Sequence, residues 1–311
     1  MRHAAYSASL NRSAAFASIG VAVFLVVLKG WAAWSPGSTA MLGSLADTLL
    51  DLVASLATLA GVWVAAQPDD INHRFGHGKA EALAAMVQVV LISISALGLG
   101  VRSIEQMLAG TRTQAAGGGI VVSVVAIAVT LALLVWQRHV IRRTGSIAIA
   151  TDHVHYQSDL LLNLAVIAAL ALDQYAGIAG ADPAFGVIIA LWLAWGAWSA
   201  STKAIEQLMD REWPEEKKAR FIDVLGRHPE LRGVHDLRTR TSGNRDFVQF
   251  HVWIDPAMTV RHAHQVMDEI EAKLTAEFPD VEILIHPDPD GLVDEHGMAA
   301  EDVLPQAEAA K

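Results

Sequence analysis

The chain of 311 residues contains no cysteine. Disulfides and thiolate-bound metals are therefore excluded, and any metal ligands must be histidines or carboxylates. Charged residues make up only 18% of the sequence, and no basic run marks a nucleic-acid partner. What is abundant is apolar. With 53% hydrophobic residues and a mean hydropathy of +0.35, the composition is that of a membrane protein. The net charge of −10 is carried mostly after position 205.

Six stretches approach the roughly 20 residues needed to cross about 30 Å of hydrocarbon. They run over 13–34, 41–66, 80–108, 115–137, 146–172 and 183–206. Short loops set the orientation through their Lys and Arg content. Arg74 and Lys79 lie between the second and third stretches, and Arg138, Arg142 and Arg143 between the fourth and fifth, whereas 35–40 and 173–182 hold none. The basic loops are expected in the cytoplasm, with both termini on the same side. The N-terminal segment lacks the pattern of a removable signal peptide and is expected to stay as an anchor.

After "MDREWPEE" the character changes to that of a soluble segment. A helical pattern at 215–227 precedes two alternating runs, "GVHDLRTRTSG" and "DFVQFHVWID", which read as a β-hairpin. A second amphipathic helix over 260–277 leads to the strand "VEILIHPD". The expected order is αββαβ. From 291 the sequence is rich in Ala and Glu, without a pattern, and reads as a disordered tail. The domains expected are thus an integral membrane α-helical unit of six transmembrane helices over 1–208, a small cytoplasmic α+β domain over 209–290, and the tail over 291–311.

Charges inside the second and fifth stretches demand a reason, because an Asp at a helix centre costs about 3 kcal/mol on the translocon scale. "SLADTLLD" places Asp47 and Asp51 four residues apart on one helical face, with Ser44 and Ser55 extending the stripe. "HYQSD" repeats that spacing with His155 and Asp159, and Asn163 continues it. Asp51 lies 16 residues before Gln67 and Asp159 lies 16 residues after Arg143, which puts both about 24 Å along their helices and level with each other. Three carboxylates and one imidazole would form a tetrahedral shell that Zn²⁺ accepts. Such a set carries −3, so a divalent ion must displace protons to bind. The bland alternative is a stripe that merely hydrogen-bonds helices together. Asp152 and His153 read as lining the way in from the cytoplasm or as sitting at the headgroups.

Two further groups lie outside the spans. In "QPDDINHRFGHGKAE" a metal site would use Asp70, His73 and His77, with glycines turning the backbone between them. In the soluble segment, His235, His251 and His286 fall on strands, His264 on a helix, and Asp288 beside His286. If they meet, they make a binuclear zinc site chemically reasonable, with Asp288 as a bridging or terminal ligand. His139, His228 and His262 read as surface residues.

"SLADTLLD", "NHRFGHGKAE", "HYQSD", "HDLRTR" and "IHPDP" together, in this order over roughly residues 10–290, resemble the cation diffusion facilitator family, close to its bacterial zinc and ferrous-iron efflux members. The resemblance implies a six-helix membrane domain, a metallochaperone-like cytoplasmic αββαβ domain, a homodimer in the bacterial inner membrane, and exchange of a metal cation for protons. It implies a transport site at Asp47, Asp51, His155 and Asp159; of these His155 is expected to exchange protons, because an unperturbed imidazole changes charge at about pH 6.5. It implies a loop site at Asp70, His73 and His77, although Ile71 replaces an acidic residue of similar members. The cytoplasmic site it implies is His235, His251, His264, His286 and Asp288, with Pro287 in place of a polar residue. A charge interlock at the dimer interface falls on Lys79 and Asp210. Zn²⁺ is the expected cargo and structural ion, with Cd²⁺ and Fe²⁺ acceptable to the same ligands. The rival readings are an intramembrane metal-dependent hydrolase, which needs an open metal position and a general base, and a proton-coupled exporter of organic molecules.

Overall fold

The computed structural model describes residues 2–33, 39–109, 119–176, 181–229 and 231–291. The tail expected from 291 onward therefore lies, after its first residue, outside the described residues. The chain separates into two compact units, Ala5–Glu206 and Gln207–Lys311 with Met1–Ala4.

The first unit is built from helices alone. They are α1 (Arg2–Ala33), α2 (Thr39–Ala65), α3 (Ala80–Ala109), α4 (Gly119–Thr144), α5 (Ile147–Ala176) and α6 (Ala181–Leu208). The long runs of Ala, Leu and Val sustain them, and breakers end them. α4 stops where Gly145, at φ +66°, donates its N–H to the Ile141 carbonyl at 2.8 Å. That left-handed position after the last turn suits a residue without a Cβ. α1 starts well before the apolar stretch that announced it, because a polar but helix-compatible lead-in continues the spiral.

Polarity in this unit is inside out. Leu97, Leu191 and Trp198 are 71%, 67% and 75% exposed, while Ser18, Thr48, Asp51, Ser55, Gln88, Gln137, Asp152 and His155 are buried. Water would not tolerate that distribution; lipid favours it, because hydrocarbon outside leaves polar groups only one another as partners. Among the described residues, α1, α2, α3, α4 and α6 contain segments long and apolar enough to cross a membrane. The helix outside that set is α5, which carries Asp152, His153, His155 and Asp159. α2 packs on α3 and on α5, α4 packs on α5, and α3 packs on α5. α5 is thus flanked by α2, α3 and α4, and α1 reaches its polar side through Ser18.

The second unit runs α7 (Glu215–Leu225), β1 (Gly233–Ser242), β2 (Arg245–Ile254), α8 (Val260–Glu277) and β3 (Val281–Pro289). The sheet order is β1-β2-β3, with β1 antiparallel and β3 parallel to β2. Gly243 at φ +62° helps close the two-residue turn between Ser242 and Arg245. Phe221, Leu225, Val234, Phe250, Val252, Val266, Ile270 and Leu274 form the core, the two helices giving one stripe each to the sheet. Phe221 stands edge-on to Trp213 and Phe250 at 5.8 and 5.7 Å, an arrangement aromatic quadrupoles favour.

Candidate metal centres

In the membrane unit, α2 and α5 bring Asp51, His155 and Asp159 together, with one ligand atom from each lying within 4.8 Å of the others. His155 Nε2 is 2.9 Å from Asp51 Oδ1. A tetrahedral ion with bonds of about 2.0–2.1 Å spaces its ligands about 3.3 Å apart, so a small cation would need to widen that gap only slightly. Asp47, one turn before Asp51, is exposed and is not among the three that converge. Beside it, Lys29 of α1 donates to Thr48 Oγ1 at 2.6 Å.

Asp152 corrects the reading that put it on an open path or at the headgroups. It is wholly buried, and every donor around it is neutral. Ser18 Oγ of α1 and Gln137 Nε2 of α4 donate to its Oδ2 at 2.6 and 2.7 Å, and Gln88 Nε2 of α3 donates to Oδ1 at 2.9 Å. Tyr156 donates to the Ser18 carbonyl at 3.0 Å and pairs with Ser55 Oγ at 2.9 Å. His153 is tied to the same network through Gln137 Oε1 at 3.1 Å. Glu81 is a further buried acid, accepting from Asn11 at 3.0 Å and Ser146 at 2.5 Å. The amides of Gln88 and Gln137, each in a long apolar run, were the available sign of the Asp152 network.

The loop between α2 and α3 collects Asp70, His73 and His77. Asp70 Oδ1 accepts the backbone N–H groups of Asn72 and His73 at 2.8 and 2.7 Å, closing a tight turn. The His73 backbone N–H does most to hold the Asp70 carboxyl below its ordinary range, with help from that of Asn72 and from the His73 ring. His77 Nε2 lies 3.4 Å from Asp70 Oδ2, while its Nδ1 is buried without a hydrogen-bond partner. One carboxylate and two imidazoles whose ligand atoms converge are a donor set that fits a cation.

In the second unit, strand register does the assembly. His235 of β1 is directly across from His251 of β2, which is across from His286 of β3. His235 Nε2 and His251 Nδ1 both reach Asp288 Oδ2, at 3.2 and 2.8 Å, and the buried Nδ1 of His235 has no hydrogen-bond partner. His286 Nε2 takes the other oxygen, Asp288 Oδ1, at 3.2 Å. One carboxylate between three imidazoles is a donor set that suits zinc or a similar ion. A β-bulge between His235 and Arg238 puts Asp236 at φ +48° and brings its carboxylate 3.8 Å from His251 Nε2. Asp236 was not expected there, since a bulge leaves no mark in an alternating pattern.

His264 does not join this group. α8 buries Ala263, Val266, Met267, Ile270 and Leu274, so His264 falls on the outer face, 76% exposed and 3.8 Å from Asp268. His228, read as a surface residue, is buried, with Nε2 3.6 Å from Glu269 Oε2. Asp210 has φ +55° and lies 3.7 Å from Arg240. Lys79 belongs to the other unit.

Comparison with known families decides the kinship. Residues 15–209 match the cation efflux transmembrane domain and residues 213–290 match the cation efflux protein, cytoplasmic domain. The chain belongs to the cation efflux family. The cation-efflux pump FieF of Escherichia fergusonii is 39% identical over 284 residues, covering 91% of this chain and 94% of that one. FieF of Serratia proteamaculans is 40% identical over 288 residues, covering 93% and 96%. The metal-bound C-terminal domain of the CzcD transporter from Thermotoga maritima is 26% identical and covers 26% of this chain and 100% of that structure, at a TM-score of 0.25. As a cation efflux protein the chain is a membrane transporter rather than an enzyme, and its cytoplasmic domain is the family's dimer-forming module, so the protein is a homodimer. Neither the hydrolase nor the organic-molecule exporter gains support from these relatives.

Proposed function

We propose that the protein exports a divalent transition-metal cation in exchange for protons, with Zn²⁺ the principal cargo and Cd²⁺ and Fe²⁺ accepted by the same ligands. The observation that supports this most is the convergence of Asp51, His155 and Asp159 from two helices inside an inside-out bundle. Asp47, one turn away, is the fourth ligand, drawn in when the ion arrives. Three carboxylates and a neutral imidazole carry −3 when deprotonated, so an ion entering from the cytoplasm displaces protons, and protons from the other side later displace the ion. Alternating access around this fixed site couples the two flows.

In this reading all six helices α1 to α6 cross a bacterial inner membrane, α5 included, because its polar side faces its neighbours rather than lipid. The basic loops place both termini in the cytoplasm. The domains are 1–208 in the membrane, 209–290 in the cytoplasm and 291–311 as a tail. Asp70, His73 and His77 would hold one resident ion. His235, His251 and Asp288 would hold another, with His286 offered to a neighbouring one; such ions would cross-link β1, β2 and β3. Lys79 and Asp210 form a charge pair at the dimer interface.

Ion flux in proteoliposomes under an imposed pH gradient tests the proposal, comparing zinc, cadmium, ferrous iron and manganese. Zinc uptake should rise with the gradient and should itself move protons. Zinc flux indifferent to the gradient would end the antiport reading.

A further inference from the structure

Lys29 lies four residues before the end of α1. A lysine so placed ordinarily runs its stem along the helix and sends the ammonium out to the headgroups. Here it turns inward. Its Nζ donates at 2.6 Å to Thr48 Oγ1, and Thr48 has no solvent exposure at all. Thr48 directly follows Asp47 and precedes Asp51 by three residues on α2. Lys29 thus brings a cation from α1 against α2, at a position between the proposed ligands Asp47 and Asp51 in sequence. α1 ends and α2 begins on the side of the unit away from the 67–79 loop, and Thr48 is farther from that loop along α2 than Asp51 is. The ammonium is thus held at a level of α2 between Asp47 and Asp51, on the side of Asp51 that faces away from the loop.

We infer that Lys29 is a tethered counter-ion of the transport site, whose fixed charge keeps cation affinity low enough for release on the face opposite the loop. This rests on the proposed function. The charge arithmetic gives it force: Asp47, Asp51 and Asp159 with neutral His155 sum to −3, Lys29 brings the total to −2, and a divalent ion then leaves the occupied site neutral. Without Lys29 the occupied site retains −1 in a medium where charge is poorly screened, and the ion is held too tightly to leave quickly. Lys29 in this role is a positioning charge that touches no ion itself.

The test uses the full-length homodimer in proteoliposomes, with zinc flux measured over a concentration series for Lys29→Met, Lys29→Arg, Thr48→Val and Asp51→Ala. Lys29→Met is expected to lower KM about tenfold or more, as removal of a unit charge beside a partly dried site requires, and to lower kcat with it. Lys29→Arg should behave as the native protein does. Thr48→Val, which removes the anchor but keeps the charge, should shift KM in the same direction by a smaller factor, and it carries the test if Lys29→Met does not assemble. A purely structural lysine would reduce thermal stability and the amount of assembled dimer while leaving KM per assembled dimer unchanged, and that result overturns the inference. Asp51→Ala separates the two levels. If it is inactive while the lysine and threonine variants keep the native KM, the counter-ion role alone falls. If it transports normally, the site itself is wrong and the counter-ion role falls with it.

Discussion

His155 Nε2 and Asp51 Oδ1 stand 2.9 Å apart across the α5–α2 contact. In the proposed transport site an imidazole and a carboxylate that already share a hydrogen bond would be pre-arranged ligands, an entering cation replacing the proton between them. Asp51→Asn preserves shape and hydrogen bonding but removes the charge. Zinc flux per reconstituted dimer is expected to fall more than about a hundredfold, beyond the 10- to 100-fold typical of groups that only orient a ligand. Stopped-flow flux in proteoliposomes measures it.

Asp152 depends on shape and neutral donors rather than on an opposite charge. Asp152→Asn can leave its oxygen to Ser18 and Gln137, but its N–H₂ then faces the Gln88 amide, which already donates. One donor must lose its acceptor, at a cost of about 1–3 kcal/mol. A lower melting temperature of the detergent-solubilised dimer is expected, and Asp152→Leu should be worse because it strands all three donors. Equal melting temperatures for all three proteins would show the cage to be dispensable.

How much of this was legible beforehand follows from what a one-dimensional pattern encodes. Uncharged runs mark helices because the bilayer fixes their length, and depth along two helices could be counted, so the meeting of Asp51 with Asp159 and His155 was within reach. Depth does not name neighbours. The donors to Asp152 come from α1, α3 and α4, and no local spacing joins Ser18 to Gln88 and Gln137. In the second unit the strands could be read from alternation, but the alignment of His235, His251 and His286 depends on sheet register, and Asp236 depends on a bulge. His264 stands apart from that group for a different reason: its helix was legible, but the apolar stripe of α8 leaves that position on the exposed side.

His251 lies at the middle of the strand-borne group, touching Asp288 and standing beside the rings of His235 and His286 at 5.3 and 4.7 Å. His251→Ala is expected to reduce the number of zinc ions retained by the full-length dimer while flux through the membrane site persists. Equilibrium dialysis with elemental analysis counts the ions. Unchanged stoichiometry would remove these residues from consideration as a centre.

Asp70 supplies a pH prediction with a definite sign. Its carboxyl is held below the ordinary range, chiefly by the His73 backbone N–H. A group depressed in the folded loop contributes stability that is present above the ordinary carboxylate value and is lost as pH falls through the depressed one. Hydrogen-exchange protection of the Asn72 and His73 amides, corrected for intrinsic rates, should therefore hold from about pH 8 to about pH 5 and decline only in stronger acid. Asp70→Ala should lack it throughout. Protection lost near neutral pH would place its control elsewhere, for instance on the histidines.

The last prediction concerns how tightly α2 and α3 can approach. A Cβ built at Gly61 would overlap the Cβ of Ala84 and press on the Ala80 carbonyl. Both obstacles belong to α3, a rigid neighbour that cannot rotate away as a flexible side chain would. Gly61→Ala must therefore push the helices apart, at about 1–3 kcal/mol for an overpacked contact. The displacement would reach Gln88, one turn beyond Ala84, and through it Asp152. Ala84→Gly removes the larger obstacle. The double variant Gly61→Ala with Ala84→Gly should recover most of the melting temperature that Gly61→Ala loses, giving a coupling energy of about 1 kcal/mol or more, as expected for residues in contact. Simple additivity of the two single changes would mean that α2 and α3 already have room between them, contrary to the close approach of Gly61 and Ala84.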